Sequence, residues 1–236
     1  MAKQELSPKQ LYEKNNLPYF YYVLRPIGRI LIPICITLKI SPNQVTTTST
    51  IFSLLGIILL VPGSLVWLLT SFLLLQIALI LDMLDGDLAR EIGKTTKSGE
   101  FLDAMGGYLR GSLLFPLMGI GLASNPDNGY SILSNIASLS TETLPVLGML
   151  AGISHVVGRL ISLRFSSLFM KPFRSTTGKI TLITLNFEDK MFPIMLVGIL
   201  TAYLTIPFFI FSVYSIAACI YVVVRSYIQV TSKTNL

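Results

Sequence analysis

The sequence predicts an all-α integral membrane protein: six spanning helices preceded by an N-terminal interfacial helix, with both termini in the cytoplasm. Three observations carry this. Of the 236 residues, 52% are hydrophobic and 13% charged, against about 25% charged in a soluble domain. Mean hydropathy is +0.69. The apolar residues gather into six runs, and Lys and Arg alternate strictly between the connections.

A spanning helix needs roughly 20 mostly apolar residues. The first run covers Asn43 to Val61 and stops at Pro62-Gly63. The second starts at Leu65, stays apolar through Leu81, then turns acidic while keeping helical spacing to Arg90. The third runs from Ser98 to Ala123, the fourth from Leu144 to Phe165, the fifth from Met191 to Tyr203 and the sixth from Pro207 to Val230. Thr205-Ile206-Pro207 makes a tight join between the last two. Ahead of them, Pro18 to Ile40 is interrupted by Arg25, Pro26, Arg29, Pro33 and Lys39. Two prolines and three cations disfavour a straight span. The expectation is a helix in the cytoplasmic interface with its cations at headgroup level. The chain thus divides into an N-terminal cytoplasmic and interfacial segment, 1–40, and a six-helix membrane domain, 41–236. The residues up to Leu17 are polar and form no signal-peptide core.

Orientation follows from the cations. The N-terminal segment holds six Lys/Arg, the Arg90–Lys97 turn three and the Arg164–Lys190 connection five; the intervening loops hold none. The positive-inside rule puts the basic connections and both termini in the cytoplasm. The net charge of +6 then reflects anionic lipid and anionic substrates rather than nucleic acid. Cys35 and Cys219 lie far apart in apolar runs and read as small fillers.

Chemistry concentrates where the second run becomes acidic. Asp82 and Asp85 are three residues apart and share a helix face with Gly86 and Ala89; Asp103 stacks on Gly99 in the next helix. Carboxylates cost roughly 2.5–3.5 kcal/mol each at membrane depth, so a cluster of them implies a cavity, a partner or a metal. Ile92–Lys97 reads as a hairpin that brings the three acids together at the cytoplasmic boundary. Such a set suits a hard, oxygen-seeking cation, and the small residues let a bulky anionic ligand approach the backbone. Asp87 and Glu91 read instead as solvated or paired acids at the helix end, with Arg90 and Lys94 as partners. A cation transporter would place acids nearer the midplane, in paired broken helices, and no internal repeat is present.

The run Asp82-Met83-Leu84-Asp85-Gly86-Asp87-Leu88-Ala89-Arg90, followed after eight residues by Gly99 and after three more by Asp103, resembles the signature of the CDP-alcohol phosphotransferases, D-x2-D-G-x2-A-R-x8-G-x3-D-x3-D. The resemblance extends to the six-span plan, the interfacial helix and the Ser41-Pro42-Asn43-Gln44-Val45-Thr46 entry to the first span. It implies transfer of a phosphatidyl or related group from a CDP-alcohol, such as CDP-diacylglycerol, to the hydroxyl of a small alcohol or phosphorylated polyol. CMP is released, in phospholipid biosynthesis, with Mg²⁺ or Mn²⁺ as cofactor. It implies a multi-pass protein among membrane lipids, its active site facing the cytoplasm, and a homodimer. By resemblance Asp82, Asp85 and Asp103 hold the metals, and Gly86, Ala89, Arg90 and Gly99, with Asn43 and Thr46, form the nucleotide pocket.

The last signature position departs: it is Gly107, where the family carries the aspartate assigned as general base. Three accounts stand. The chain is a catalytically silent relative that still binds a CDP-lipid; it uses a different base, a water on the metal included; or its acceptor brings its own ionised group. Glu100 lies two turns from Gly107 and is poorly placed to substitute. Beyond the signature, Arg110, Arg159, Arg174 and Arg225 are candidate contacts for an acceptor's phosphate. His155 reads as a hydrogen-bonded core residue, and Tyr19, Tyr21 and Tyr22 as an interfacial anchor.

Overall fold

The structure is a computed structural model that describes residues 17–125, 140–169 and 187–234. Arg174, the N-terminal residues before Leu17, and most of the Ser124–Thr143 and Arg164–Lys190 connections lie outside the described residues. Within them the chain forms only helices: α1 (Phe20–Leu24, a π-helical turn), α2 (Arg25–Ile30), α3 (Ile32–Thr37), α4 (Pro42–Ile58), α5 (Leu65–Glu91), α6 (Lys97–Ser124), α7 (Thr143–Phe169), α8 (Phe187–Leu200) and α9 (Thr205–Thr234).

Local sequence explains the ends. Pro26 and Pro33 each occupy the first turn of a helix, where a missing N–H costs nothing. The segment before the bundle is a succession of three short helical pieces that together run from Phe20 to Thr37, and it turns into α4 through Lys39 at φ 54°. Ser41 and Gln44 form a reciprocal capping box on α4. α5 ends on a Schellman motif: Gly93 takes φ 64°, its N–H donates to the Arg90 carbonyl, and that of Lys94 donates to the Ala89 carbonyl at 2.9 Å. Three residues later the Thr96 hydroxyl caps α6 by accepting from Gly99 N–H at 3.1 Å. This short connection reverses the chain, and α5 and α6 both pack on α4. α9 begins at Thr205, so Pro207 falls inside its first turn, where it is tolerated; the join after α8 turns at Ala202, φ 59°.

α4 packs on α5 and α6, α6 on α7, and α7 on α9. The core is Leu75 and Leu79 from α5, Phe115, Met118 and Leu122 from α6, Phe192 and Met195 from α8 and Phe208 from α9, all buried. Buried hydroxyls cross-link helices: Ser49 donates to the Ala78 carbonyl at 2.8 Å and Ser215 to the Ala151 carbonyl at 3.0 Å. The outward faces of α4, α7 and α9 expose Ile51, Leu55, Ile153, Leu160, Ile220 and Val224, as a lipid-facing surface does.

Four helices among the described residues are long and apolar enough to cross a membrane: Phe20–Thr37, Leu65–Glu91, Thr143–Phe165 and Thr205–Thr231. This differs in two ways from the six apolar runs read in the sequence. The segment expected to lie in the interface qualifies by length and composition. α4, α6 and α8 do not: α4 is short and rich in Thr and Ser, α6 carries Lys97, Glu100, Asp103 and Arg110, and α8 has 14 residues. α4 nevertheless packs against both α5 and α6, and α6 against α7, within the bundle.

The turn between α4 and α5 depends on Gly63. It adopts φ +68°, and a Cβ there would stand 2.0 Å from the Gly121 carbonyl oxygen of α6. Gly63→Ala is therefore expected to destabilise the bundle by more than about 1 kcal/mol, read as a lowered midpoint of thermal unfolding in detergent.

Candidate active site

The end of α5, the turn after it and the starts of α4 and α6 enclose a cleft of about 510 Å³. α4 contributes Asn43 and Thr46, α5 contributes Asp85, Gly86, Ala89 and Arg90, the turn contributes Lys94 to Thr96, and α6 contributes Lys97, Gly99, Glu100 and Asp103. Two helix N-termini thus open on the cleft. Their unpaired N–H groups favour an anion, and Arg90, Lys94 and Lys97 add formal positive charge.

Asp85 is buried and accepts from the Thr46 hydroxyl at 2.5 Å. That bond ties α4 to α5 and orients one carboxylate oxygen. Gly99 has its own reason for being glycine: a Cβ there would lie 3.0 Å from Asn43 Oδ1 and 3.2 Å from Thr96 Oγ1. The absence of a side chain lets the α4 and α6 N-termini approach each other. Gly86 leaves room for the Arg90 guanidinium, which folds back to within 3.3 Å of where a Cβ would stand.

Asp87 is the most heavily paired acid. It is 6% exposed and faces three arginines. Arg29 Nε donates to Oδ2 at 2.9 Å, Arg25 Nε lies 3.2 Å from the same oxygen, and Arg90 bonds Oδ1. Pairing with Arg90 agrees with the sequence reading of this acid. Arg25 requires a correction. It was expected with Arg29 at headgroup level, but it is 2% exposed, whereas the Arg29 side chain is 47% exposed; both pair with Asp87 on the signature helix. The physical reason is that buried Asp87 needs compensation and α2 packs directly on α5. The signal was present: two arginines four apart on one helical face, and an acid in the signature not needed elsewhere.

The three acids of the sequence reading are placed unequally. Asp85 and Asp103 line the cleft. Asp82 sits one turn deeper on α5, where Oδ1 lies 3.7 Å from Arg110 Nη2. Among the described residues no three carboxylate, imidazole or thiol groups are drawn together as a metal cage; the acids have protein partners instead. The donor chemistry still suits Mg²⁺ or Mn²⁺: carboxylate oxygens beside a hydroxyl and cationic side chains, in a cleft roomy enough for a diphosphate and waters.

Gly107 lies beneath the cleft on α6. The space its side chain would take borders Arg159, whose Nη1 is 3.3 Å from the Cβ position; the Arg159 guanidinium stacks over Tyr108 at 5.0 Å from the ring centroid. Gly111, one turn further, is kept small by His155, with Cδ2 2.3 Å from its Cβ position. Arg225 sits apart, bonded to Tyr221 in a separate open groove of about 430 Å³ with Val224, Ile228 and Gln229. The sequence reading used Lys97 only for topology and Lys94 also as a partner for the acids at the helix end; the structure places both, with Glu100, on the cleft wall.

Helices apolar and long enough to cross a membrane accompany a cleft at helix ends that is lined by Arg90, Lys94 and Lys97 as well as Asp85 and Asp103. Residues 39–123, which contain the cleft, match the family model CDP-alcohol phosphatidyltransferase. An uncharacterized protein of Aquifex aeolicus is 32% identical over 131 residues, 56% of this chain and 63% of that protein's length. The fold is similar to that of Mycobacterium tuberculosis phosphatidylinositol phosphate synthase. The form in complex with manganese and citrate aligns at TM-score 0.57 and 20% identity over 87% of this chain and 89% of that one. The form with CDP-DAG bound aligns at 0.58 and 21% over 87% and 94%.

Asp87 is expected to hold the N-terminal segment on the signature helix. Asp87→Ala strands buried Arg25 and should cost about 3–5 kcal/mol; Arg29→Ala, which removes a half-exposed side chain and leaves Asp87 paired with Arg25 and Arg90, should cost much less. Thermal unfolding of the two purified variants ranks them.

Proposed function

We propose that this chain transfers a phosphatidyl or related phospho-alcohol group from a CDP-alcohol, of which CDP-diacylglycerol is the type, to an acceptor hydroxyl, releasing CMP for phospholipid biosynthesis. The observation that carries the reading is the cleft itself. Thr46, Asp85, Gly86, Ala89, Arg90, Gly99 and Asp103, separated by up to 57 positions in sequence, line one cavity.

The residues divide the work by chemistry. Asp85 and Asp103, with Asp82 one turn deeper, are the ligands we assign to Mg²⁺ or Mn²⁺; when bound, such a cation neutralises charge on a diphosphate and its leaving group. Arg90, Lys94 and Lys97 offer cationic donors to phosphate oxygens. The N-termini of α4 and α6 add N–H groups. Asn43 has the donors and acceptors to read a base or ribose edge. Glycines 86 and 99 keep the floor low enough for the nucleotide to lie against backbone. Burial of Asp85 limits water at the reacting end of the cleft.

Six spans, cytoplasmic termini and a cytoplasm-facing cleft complete the proposal. Its support is that the cleft lies at the same end of the bundle as the basic α5–α6 turn. α4, α6 and α8 then cross as bundle members sheltered by more apolar neighbours. Of the arginines assigned to an acceptor, Arg159 is the one beside Gly107, and it suits a phosphorylated polyol.

Gly107 favours a second reading. With no carboxylate at that position and a guanidinium beside it, the chain could bind a CDP-lipid without turning it over. Purified protein with CDP-diacylglycerol, Mn²⁺ and a panel of acceptor alcohols decides. Mn²⁺-dependent CMP release, lost in Asp85→Asn, supports the transferase. Mn²⁺-dependent retention of CDP-diacylglycerol with no CMP supports the silent binder.

Restoring the carboxylate is a sharper test. A general base typically contributes 10²–10⁴-fold, and the adjacent Arg159 guanidinium would hold part of that back by favouring the ionised, less basic form. Gly107→Asp is therefore expected to raise CMP release by about tenfold. A fall from an already high rate would show that the missing carboxylate is not what limits this chain.

A further inference from the structure

Arg29 belongs to the N-terminal segment and does not line the cleft, yet it touches the acid that holds a cleft residue. The link is Asp87, whose two carboxylate oxygens serve two parts of the molecule. Oδ2 accepts from Arg29 Nε at 2.9 Å and lies 3.2 Å from Arg25 Nε, both on α2. Oδ1 is bonded by Arg90 through Nη2. Arg90 borders the cleft with its side chain 29% exposed. Its guanidinium lies over Gly86, with Nη2 and Nη1 3.3 and 3.5 Å from where a Cβ would stand.

An arginine and a carboxylate left to themselves favour two parallel N–H···O bonds, a fork that uses both oxygens. Asp87 cannot give Arg90 that fork, because Oδ2 is engaged from α2. Arg90 is therefore oriented without being neutralised, and it keeps N–H donors and part of its charge for another anion. We propose that the N-terminal segment tunes the cleft from outside it: Arg29, with Arg25 beside it, occupies one oxygen of Asp87 and so keeps Arg90 a half-paired, oriented donor for a ligand phosphate. The proposal rests on the CDP-alcohol reading of the cleft, in which the phosphate is that of the diphosphate. Arg29 and Asp87 are positioning residues, and Arg90 is the group that touches the ligand. Without Arg29, Asp87 turns more fully to Arg90, and the cleft loses cationic character although none of its lining residues has changed. The coupling is reciprocal: a phosphate on Arg90 leaves Asp87 more fully to α2 and tightens the hold on the N-terminal segment.

The test is equilibrium binding of CDP-diacylglycerol with Mn²⁺ to the purified, detergent-solubilised full chain. Arg29→Gln, a change at a half-exposed side chain, should weaken binding about fivefold. Mn²⁺ affinity measured without the lipid should stay within about twofold. Arg29→Lys, which keeps a cation for Oδ2, should retain most of the affinity. Lys39→Gln removes the same charge from an exposed position at the end of the same segment and should change binding by less than about twofold. In an Arg90→Gln background, adding Arg29→Gln should have no further effect, because Arg90 carries the influence of Arg29 to the ligand. Four outcomes each overturn the inference and leave the CDP-alcohol reading standing: an Arg29→Gln loss below about twofold, an equal loss in Lys39→Gln or Arg29→Lys, a parallel loss of Mn²⁺ affinity, or a loss that persists in the Arg90→Gln background. No Mn²⁺-dependent binding of CDP-diacylglycerol by the unaltered chain overturns both.

Discussion

An ionised group held inside an apolar bundle must be matched by another charge, a hydrogen-bond donor or a metal, and the arrangement of this protein follows from how its acids meet that demand. Asp87 is matched by Arg25, Arg29 and Arg90, which draws the short N-terminal helices onto α5. Asp85 is matched by Thr46, which draws α4 onto the same helix. Asp82 is matched by Arg110, which draws α6 in from the other side. Three acids within six positions of one helix thereby organise three neighbours, and the cleft is what remains between them at the α5 end.

Glycine enables what charge demands. Gly93 reverses the chain in a few residues, so that α5 and α6 present their ends to one cavity. Gly99 lets the caps of α4 and α6 meet, and Gly86 gives Arg90 room to fold back on Asp87. Arg90 therefore serves two ends at once: it borders the cleft and stabilises the acid that anchors the N-terminal segment. A ligand phosphate in the cleft would meet a guanidinium already oriented by Asp87, and pre-oriented donors lose less entropy on binding.

The region around position 107 is where this chain departs from the signature it otherwise carries. Arg159 borders the space of the missing side chain, and Arg110 lies one turn below it. The electrostatic character of that end of the site is shifted from acidic to basic.

Much of the helical plan was legible because apolar runs, caps and glycine turns are local. The α5–α6 connection and the capping box at Ser41 could be read from a few adjacent residues, since the hydrogen bonds that make them span three to five positions. Spacing grouped Asp85 with Gly86 and Ala89, and Gly99 with Asp103, because residues three or four apart on a helix share a face; Asn43, Thr46 and Arg90 were reached only through the resemblance of the signature. Partnership between distant charges was not legible. Arg25 and Arg29 looked like headgroup cations because the sequence shows their charge but not that α2 lies on α5. Asp82 looked equivalent to Asp85 because both share one face of α5; only the third dimension put a hydroxyl beside one and an arginine beside the other. By itself the sequence determined an apolar helical protein with an acid-rich hairpin, because periodicity and composition act within a helix. The tertiary structure decided which acid faces the cleft and which is neutralised beneath it, because electrostatic matching acts between helices and depends on distances that spacing along the chain does not contain.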